Sequence, residues 1–184
     1  SKQYELDLEA IRSRVLQMGG LVEKQFFDAM TCFRSLNATE AERIIAADIE
    51  VNQMEVALDD ACTHLIVKRQ PAANDLRTVM ATIKVITDLE RVGDEATKIA
   101  RAAHAIHQRG LVPNQATPLI VADEEIDHEY RSVVRTAITF MMEDPRTISS
   151  ALDTIWVAKA IERIGDHAKN IAEYVVYIVE GKDI

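Results

Sequence analysis

Twelve residues beginning at Leu89, LERVGDEATKIA, return 72 positions later as IERIGDHAKNIA beginning at Ile161, with seven of the twelve identical. The preceding stretch returns as well. AADIEVN ending at Asn52 resembles VADEEID ending at Asp127 at an offset of 75, and Pro71 and Pro145 stand 74 apart. A repeat of this length is the signature of one supersecondary unit used twice, so both units must solve the same burial problem.

The unit is helical. Six glycines and four prolines leave few breakers in 184 residues, and apolar side chains follow a 3-then-4 rhythm between them. Leu6 to Ser35 carries Leu8, Ile11, Val15, Met18, Val22 and Phe26, and Asn37-Ala38-Thr39 ends it while offering a cap to the next helix. In the second segment Ile44, Ala47, Val51, Met54, Leu58, Ala61 and Leu65 alternate spacings of 3 and 4, which makes a bundle seam. Gln70-Pro71 breaks that helix, and Asn74 is the expected cap of a third running to Gln108, with Val79, Ile83, Ile86, Leu89, Val92, Ala96, Ile99 and Ala103 inward. Gly110 and Pro113 stop it. A fourth helix from about Leu119 to Glu143 closes at Asp144-Pro145, and a fifth from Ile148 to Glu180 ends at Gly181.

A helix pair with an apolar stripe needs a third helix before its face is dry. The first unit has one; the second has no room for it. Glu5 lies 43 residues before Asp48, but 43 residues before Asp123 is Met80, inside the third helix. The expected fold is therefore all-α, two tandem three-helix bundles with the first helix of the second bundle absent. Residues 1–110 form the first repeat, 111–118 a linker and 119–184 the two-helix remainder. About 40 residues are missing by this reckoning near Pro113 to Leu119. The reading adopted is a segment that the numbering passes over, with a five-helix variant as the alternative.

Charge and composition exclude several functions. The net charge of −9 and the lack of a basic stripe argue against nucleic acid, and 5% aromatic content argues against base stacking. No apolar run approaches the roughly 20 residues that cross a bilayer, and SKQYELDLEA lacks a signal peptide's layout, so a cytoplasmic protein is expected. Cys32 and Cys62, with no CxxC or Cys/His cluster, read as buried thiols.

The carboxylates carry the chemistry. Asp48, Asn52, Glu55 and Asp59 each follow a seam position, so they flank the apolar stripe of the second helix. Glu90 and Asp94 do the same on the third, and Asp123 and Asp127 pair with Glu162 and Asp166 in the second repeat. Like charges at i,i+4 destabilise a helix, and two such rows facing one another repel unless something positive lies between them. Gly93 and Gly165, each one residue before the aspartate, point to a close approach of backbone or ligand, because glycine inside a helix costs roughly 0.8–1 kcal/mol against alanine. Solvated acidic faces balanced by Arg91 and Arg163 would be the plain alternative. Four related pairs favour a metal site in each repeat, with all-oxygen ligands suited to magnesium, manganese or ferric iron, and zinc also admissible.

No catalytic constellation stands beside them. His64, His104, His107, His128 and His167 lack zinc-site spacing, and Glu125-x-x-His128 is the single ExxH where a ferritin-like di-metal carboxylate oxidoreductase needs two. That enzyme is the alternative function. His167 reads as an ordinary surface histidine, and neither a phosphate loop nor a GxSxG is present.

LERVGD and IERIGD, DIEVN and DEEID, VKRQPAANDLR, QMGGLVEKQ, MEVALDDAC and FMMEDPRTI together resemble the PhoU family of bacterial phosphate-signalling regulators over nearly the whole chain. The resemblance implies a cytoplasmic, non-enzymatic negative regulator of phosphate uptake and starvation signalling. It would be an adaptor between the ATPase subunit of the phosphate-specific ABC transporter and a phosphate-sensor histidine kinase, often a homodimer, with neither nucleic-acid binding nor membrane insertion. It also implies metal cations (iron, zinc, magnesium or manganese) on E(D)xxxD motifs, which fall here on Asp48 and Asn52, Glu90 and Asp94, Asp123 and Asp127, Glu162 and Asp166. Asn52 stands where the second repeat has Asp127, so the first site has one charge fewer.

Overall fold

A computed structural model describes residues 2–110, 126–143 and 148–180, with the side chains of 126–131, 133, 140 and 180 outside that description. Every secondary-structure element among the described residues is a helix: α1 Lys2–Ser35, α2 Ala38–Arg69, α3 Ala73–Gln108, α4 Ile126–Glu143 and α5 Ile148–Glu180.

Local chemistry sets the helix ends. Asn37 caps α2, its side-chain oxygen accepting from Glu40 N–H at 3.1 Å as the sequence indicates. Gln70 ends α2 in the left-handed region, where its N–H reaches Ile66 O, and Pro71 follows. The expected cap of α3 is corrected. Asn74 lies within the helix, and Ala72, in extended backbone, holds the cap position with no side-chain hydrogen bond, so the helix begins at Ala73, before the polar residue. The proposed start of the fourth helix at Leu119, and the region in which a segment was expected to be missing, lie outside the described residues.

The seam of α2 is buried at Ile44, Val51, Leu58 and Leu65, against α1 and α3. Two apolar clusters result. One joins Tyr4, Leu8, Ile11, Met18 and Val22 of α1 to Val51, Leu58, Cys62 and Leu65 of α2 and Val79, Ile86 and Val92 of α3. The other joins Ala29, Phe33 and Leu36 to Ile44, Ala96, Ile99, Ala103 and Ile106, and extends to Val157 and Ala160 of α5. Both cysteines are buried, and burial raises both thiols, Cys62 to about 11.

The two repeats meet through α3 and α5. Arg109 pairs with Asp153, Glu95 with Arg163 at 3.3 Å and Asp88 with His167 at 2.8 Å, so rising numbers on α3 meet falling numbers on α5. The helices are antiparallel, and the two copies of the repeated motif lie against each other.

Candidate functional site

Gly93 fixes the geometry of the first acidic site. A Cβ there would lie 3.0 Å from Gln25 Oε1, 3.3 Å from Val51 Cγ1 and 3.7 Å from Asp48 Oδ1. Glycine is thus the condition for α1 and α2 to close on α3, which is the backbone approach its position suggests. Gln25, buried in the middle of α1, fills the resulting space. Its Nε2 donates to Asp48 Oδ1 at 3.1 Å and to Thr97 Oγ1 at 2.9 Å, while Thr97 Oγ1 donates to Gly93 O at 3.0 Å. The Oε1 of Gln25 is buried with no hydrogen-bond partner, an orphaned oxygen beside a carboxylate.

Around this point the first-repeat carboxylates converge. Burial raises the Glu90 carboxyl above its usual range, and Glu55, Asp94 and Asp48 raise it further, against an opposing pull from Arg91. Burial also raises Glu55, with Asp59 and Asp94 adding to it and Arg91 opposing. Asp48, Glu55 and Glu90 are half-buried, whereas Asn52, Asp59 and Asp94 are exposed. The structure therefore brings Asp48, Glu55, Glu90 and Asp94 into one electrostatic neighbourhood on α2 and α3, with Asn52 and Asp59 at its outer edge.

The second site is described on one side only. Glu162 pairs with Lys159 one turn earlier, and Asp166 is exposed. Asp127 lies on α4 with its side chain outside the description, and Asp123 is outside the description altogether, so their pairing with Glu162 and Asp166 lies outside the described residues. As donors for a hard cation, the oxygen-only groups of the first site fit in chemistry, the orphaned Gln25 oxygen included. Among the described residues no three His, Cys, Asp or Glu side chains come together as a metal-holding group.

Asp94 and Asp166 share a groove of about 390 Å³ between α3 and α5 with Arg91, Glu95, Arg163 and His167. These are three repeat-equivalent pairs facing one another. Glu95 and Asp88, both buried, make the cross-repeat contacts, Glu95 an ion pair with Arg163 and Asp88 a hydrogen bond with His167, and sequence reasoning missed both acids. The available signal was Glu95 against His167, an acid exchanged for a basic residue directly after the shared Gly-Asp of the two motifs. His167 is corrected from an ordinary surface residue, because α3 covers it and Asp88 receives its Nδ1–H. His104 sits 3.3 Å from Glu42, away from the acidic row.

Helix pairs of this kind, duplicated and packed through a glycine-aspartate motif, define an all-helical tandem-repeat protein. The model of the PhoU domain matches two stretches, residues 15–103 and 110–175, each containing one copy of the motif. The chain belongs to the PhoU family. Its relatives include the phosphate-specific transport system accessory protein PhoU of Edwardsiella tarda, 43% identical over 211 residues that take in all of this chain and 87% of the relative. The Escherichia coli (strain K12) protein of the same name is 41% identical, covering all of this chain and 88% of its own. The 211 aligned positions exceed the 184 of this chain by 27, so the first of these relatives carries at least that many residues opposite gaps. The crystal structure of PhoU from Pseudomonas aeruginosa superposes with a TM-score of 0.87 at 38% identity, covering 97% of this chain and 100% of that one. That of the phosphate transport system regulatory protein PhoU from Streptococcus pneumoniae gives 0.83 at 26%, covering 98% and 99%.

Proposed function

We propose that this chain is an accessory protein of phosphate-specific transport that acts without catalysis, as a cytoplasmic negative regulator linking the transporter's ATPase subunit to a phosphate-sensor histidine kinase. The observation that carries the reading is the family match on both repeats, together with relatives of that name aligned over the whole chain. No described helix is long and apolar enough to cross a membrane, and the acidic balance suits protein partners better than nucleic acid. A homodimer is part of the same reading.

Cations are proposed at the acidic rows, on Asp48, Glu90 and Asp94 in the first repeat and on Glu162, Asp166, Asp123 and Asp127 in the second, with Asn52 as a neutral neighbour. What a cation supplies there is positive charge between α2 and α3, where Glu90 and Glu55 are held against like charges. The raised Glu90 carboxyl and the orphaned Gln25 oxygen support this reading.

The deciding experiment is a pull-down of the ATPase subunit and the sensor kinase, with and without chelator. Both are recovered if the reading holds; failure to recover either removes the adaptor role. Equilibrium dialysis with elemental analysis tests the cations separately, and binding unchanged by Glu90→Ala together with Glu162→Ala would remove them.

A further inference from the structure

Basic side chains gather at one place on a chain that is otherwise acidic. Against a net charge of −9, Arg14 of α1 and His64, Lys68 and Arg69 of α2 line a groove of about 320 Å³ in the first repeat, with Asp7 as its one carboxylate. Positions 7, 10, 11 and 14 of α1 face positions 61, 64, 65 and 68 of α2, two stripes at helical spacing. Asp7 meets Arg69 at the end of α2, so the two helices are antiparallel and Arg14 falls toward the Ala61 end of the groove.

Asp7 satisfies one of these cations. It accepts from Arg69 Nε at 2.9 Å and from Gln3 Nε2 at 3.0 Å. Its carboxyl is held below the usual range by the Gln3 amide and then by Arg69, and the Lys68 ammonium adds to the pull. Among the described residues Arg14, His64 and Lys68 have neither a hydrogen bond nor an ion pair. Arg14 is half-buried, with five N–H donors and no acceptor. The dipole of α2 accounts for Lys68 and Arg69 in its last turn. It does not account for His64, more than a turn from that end, or for Arg14 inside α1.

Charge decides what the groove can take. Arg14, Lys68 and Arg69 less Asp7 leave two positive charges with His64 neutral. A phosphoryl group, with about −1.5 to −2 charges at pH 7 and three strong acceptor oxygens, matches both that charge and the unmet donors. A lone carboxylate brings half as much. Ala10 and Ala61 also line the groove, an apolar surface on which the organic part of a phosphate monoester can lie. We propose that the groove between α1 and α2 binds a phosphoryl dianion, free or as a phosphate monoester, on Arg14, His64 and Lys68. Such a site goes beyond the accessory-protein reading and stands whether or not that reading holds.

The probes are inorganic phosphate and phenyl phosphate, titrated by isothermal calorimetry into the full chain. Chelator is present throughout, so that no cation on the acidic rows carries the anion. Inorganic phosphate binds one to one. Tighter binding of phenyl phosphate makes a monoester the natural class, and weaker binding makes it the free ion; either result fits a phosphoryl site. Arg14→Gln weakens binding by at least about tenfold and Lys68→Gln severalfold, while Asp7→Asn, which releases Arg69, tightens it. Arg101→Gln, an equal loss of charge on the exposed surface of α3, leaves it unchanged. Circular dichroism checks that each variant is folded, and the exposed Lys68 keeps the test decisive if Arg14→Gln is not. Absence of binding, binding unchanged by Lys68→Gln, or equal weakening by Arg101→Gln overturns the proposal. So does acetate binding as tightly as phosphate, since the match of charge then selects nothing.

Discussion

His167 on α5 donates from Nδ1 to Asp88 Oδ1 on α3 at 2.8 Å, and Asp88 is only 4% exposed. Among the described residues the other basic side chain near Asp88 is Arg91, at 3.8 Å and more than half exposed, so His167 is its closer partner. A buried carboxylate that loses its donor keeps its full desolvation penalty. His167→Ala should therefore destabilise the fold by about 1–3 kcal/mol. At this chain length that lowers the thermal midpoint by roughly 2–4 °C per kcal/mol. Asp88→Asn, which keeps an acceptor for the imidazole and removes the charge, should cost less. Thermal unfolding followed by circular dichroism measures both, and equal losses would contradict the assigned roles.

Glycine substitutions should separate by site. Gly19 and Gly20 have no heavy atom within 4 Å of a built Cβ, so Gly19→Ala and Gly20→Ala should each stabilise α1 by up to about 0.8–1 kcal/mol through helix propensity. Gly93→Ala gains the same propensity but drives a methyl into Gln25 and Val51, which are buried and, for Gln25, pinned by two hydrogen bonds. Overpacking of that kind costs about 1–3 kcal/mol, so the net effect is a loss. Chemical denaturation of the three variants checks the opposite signs.

The helical architecture was legible because its signal is local. The seam from Ile44 to Leu65 repeats at helical spacing, and Asn37 and Gln70-Pro71 punctuate it by rules that need only neighbours in sequence. The acidic row was legible for the same reason, since Asp48, Glu55, Glu90 and Asp94 occupy the flank of a periodic stripe. Gln25 was not, because a glutamine in an amphipathic helix reads as surface until Gly93 on another helix makes room for it. Asp88 and Glu95 also read as solvated flank. It is α5, far away in sequence, that covers them and supplies their partners. Asn74 misled as a cap because α3 begins at Ala73, so the nearest polar side chain falls inside the first turn rather than before it.

Two helix starts offer a matched pair of tests. Asn37 satisfies the Glu40 N–H, and Asn37→Ala should cost about 0.5–2 kcal/mol. Ala72 has the extended backbone of a cap, with φ −65° and ψ 166°, but no side-chain oxygen to offer. Ala72→Ser should recover a comparable amount, of order 1 kcal/mol, by accepting from an N–H of the first turn of α3. Urea midpoints should move in opposite directions, and a neutral Ala72→Ser would mean that the first turn gains nothing from the hydroxyl.

Glu90 and Glu55 should make stability fall as the solution becomes less acidic. Both carboxyls titrate above their unfolded values, Glu90 through burial and the charges of Glu55, Asp94 and Asp48, and Glu55 through burial and Asp59. A raised carboxyl binds its proton more tightly folded than unfolded, so it contributes no penalty below the unfolded value of about 4.3. Its penalty grows as pH rises from there through the folded value and is complete above it. Asp28 and Glu40 work in the opposite sense, since Lys24 and Arg43 lower them, and their contribution is lost on acidification. Glu90→Gln isolates the first effect. It should raise the thermal midpoint at pH 7 and leave it unchanged near pH 3.5, with the gain appearing between those limits. If cations neutralise the row, added magnesium or manganese at pH 7 should raise the midpoint of the parent chain and narrow its gap to the variant. A pH-independent gain would assign the effect to packing, and a gap that cations do not narrow would leave the acidic face unneutralised.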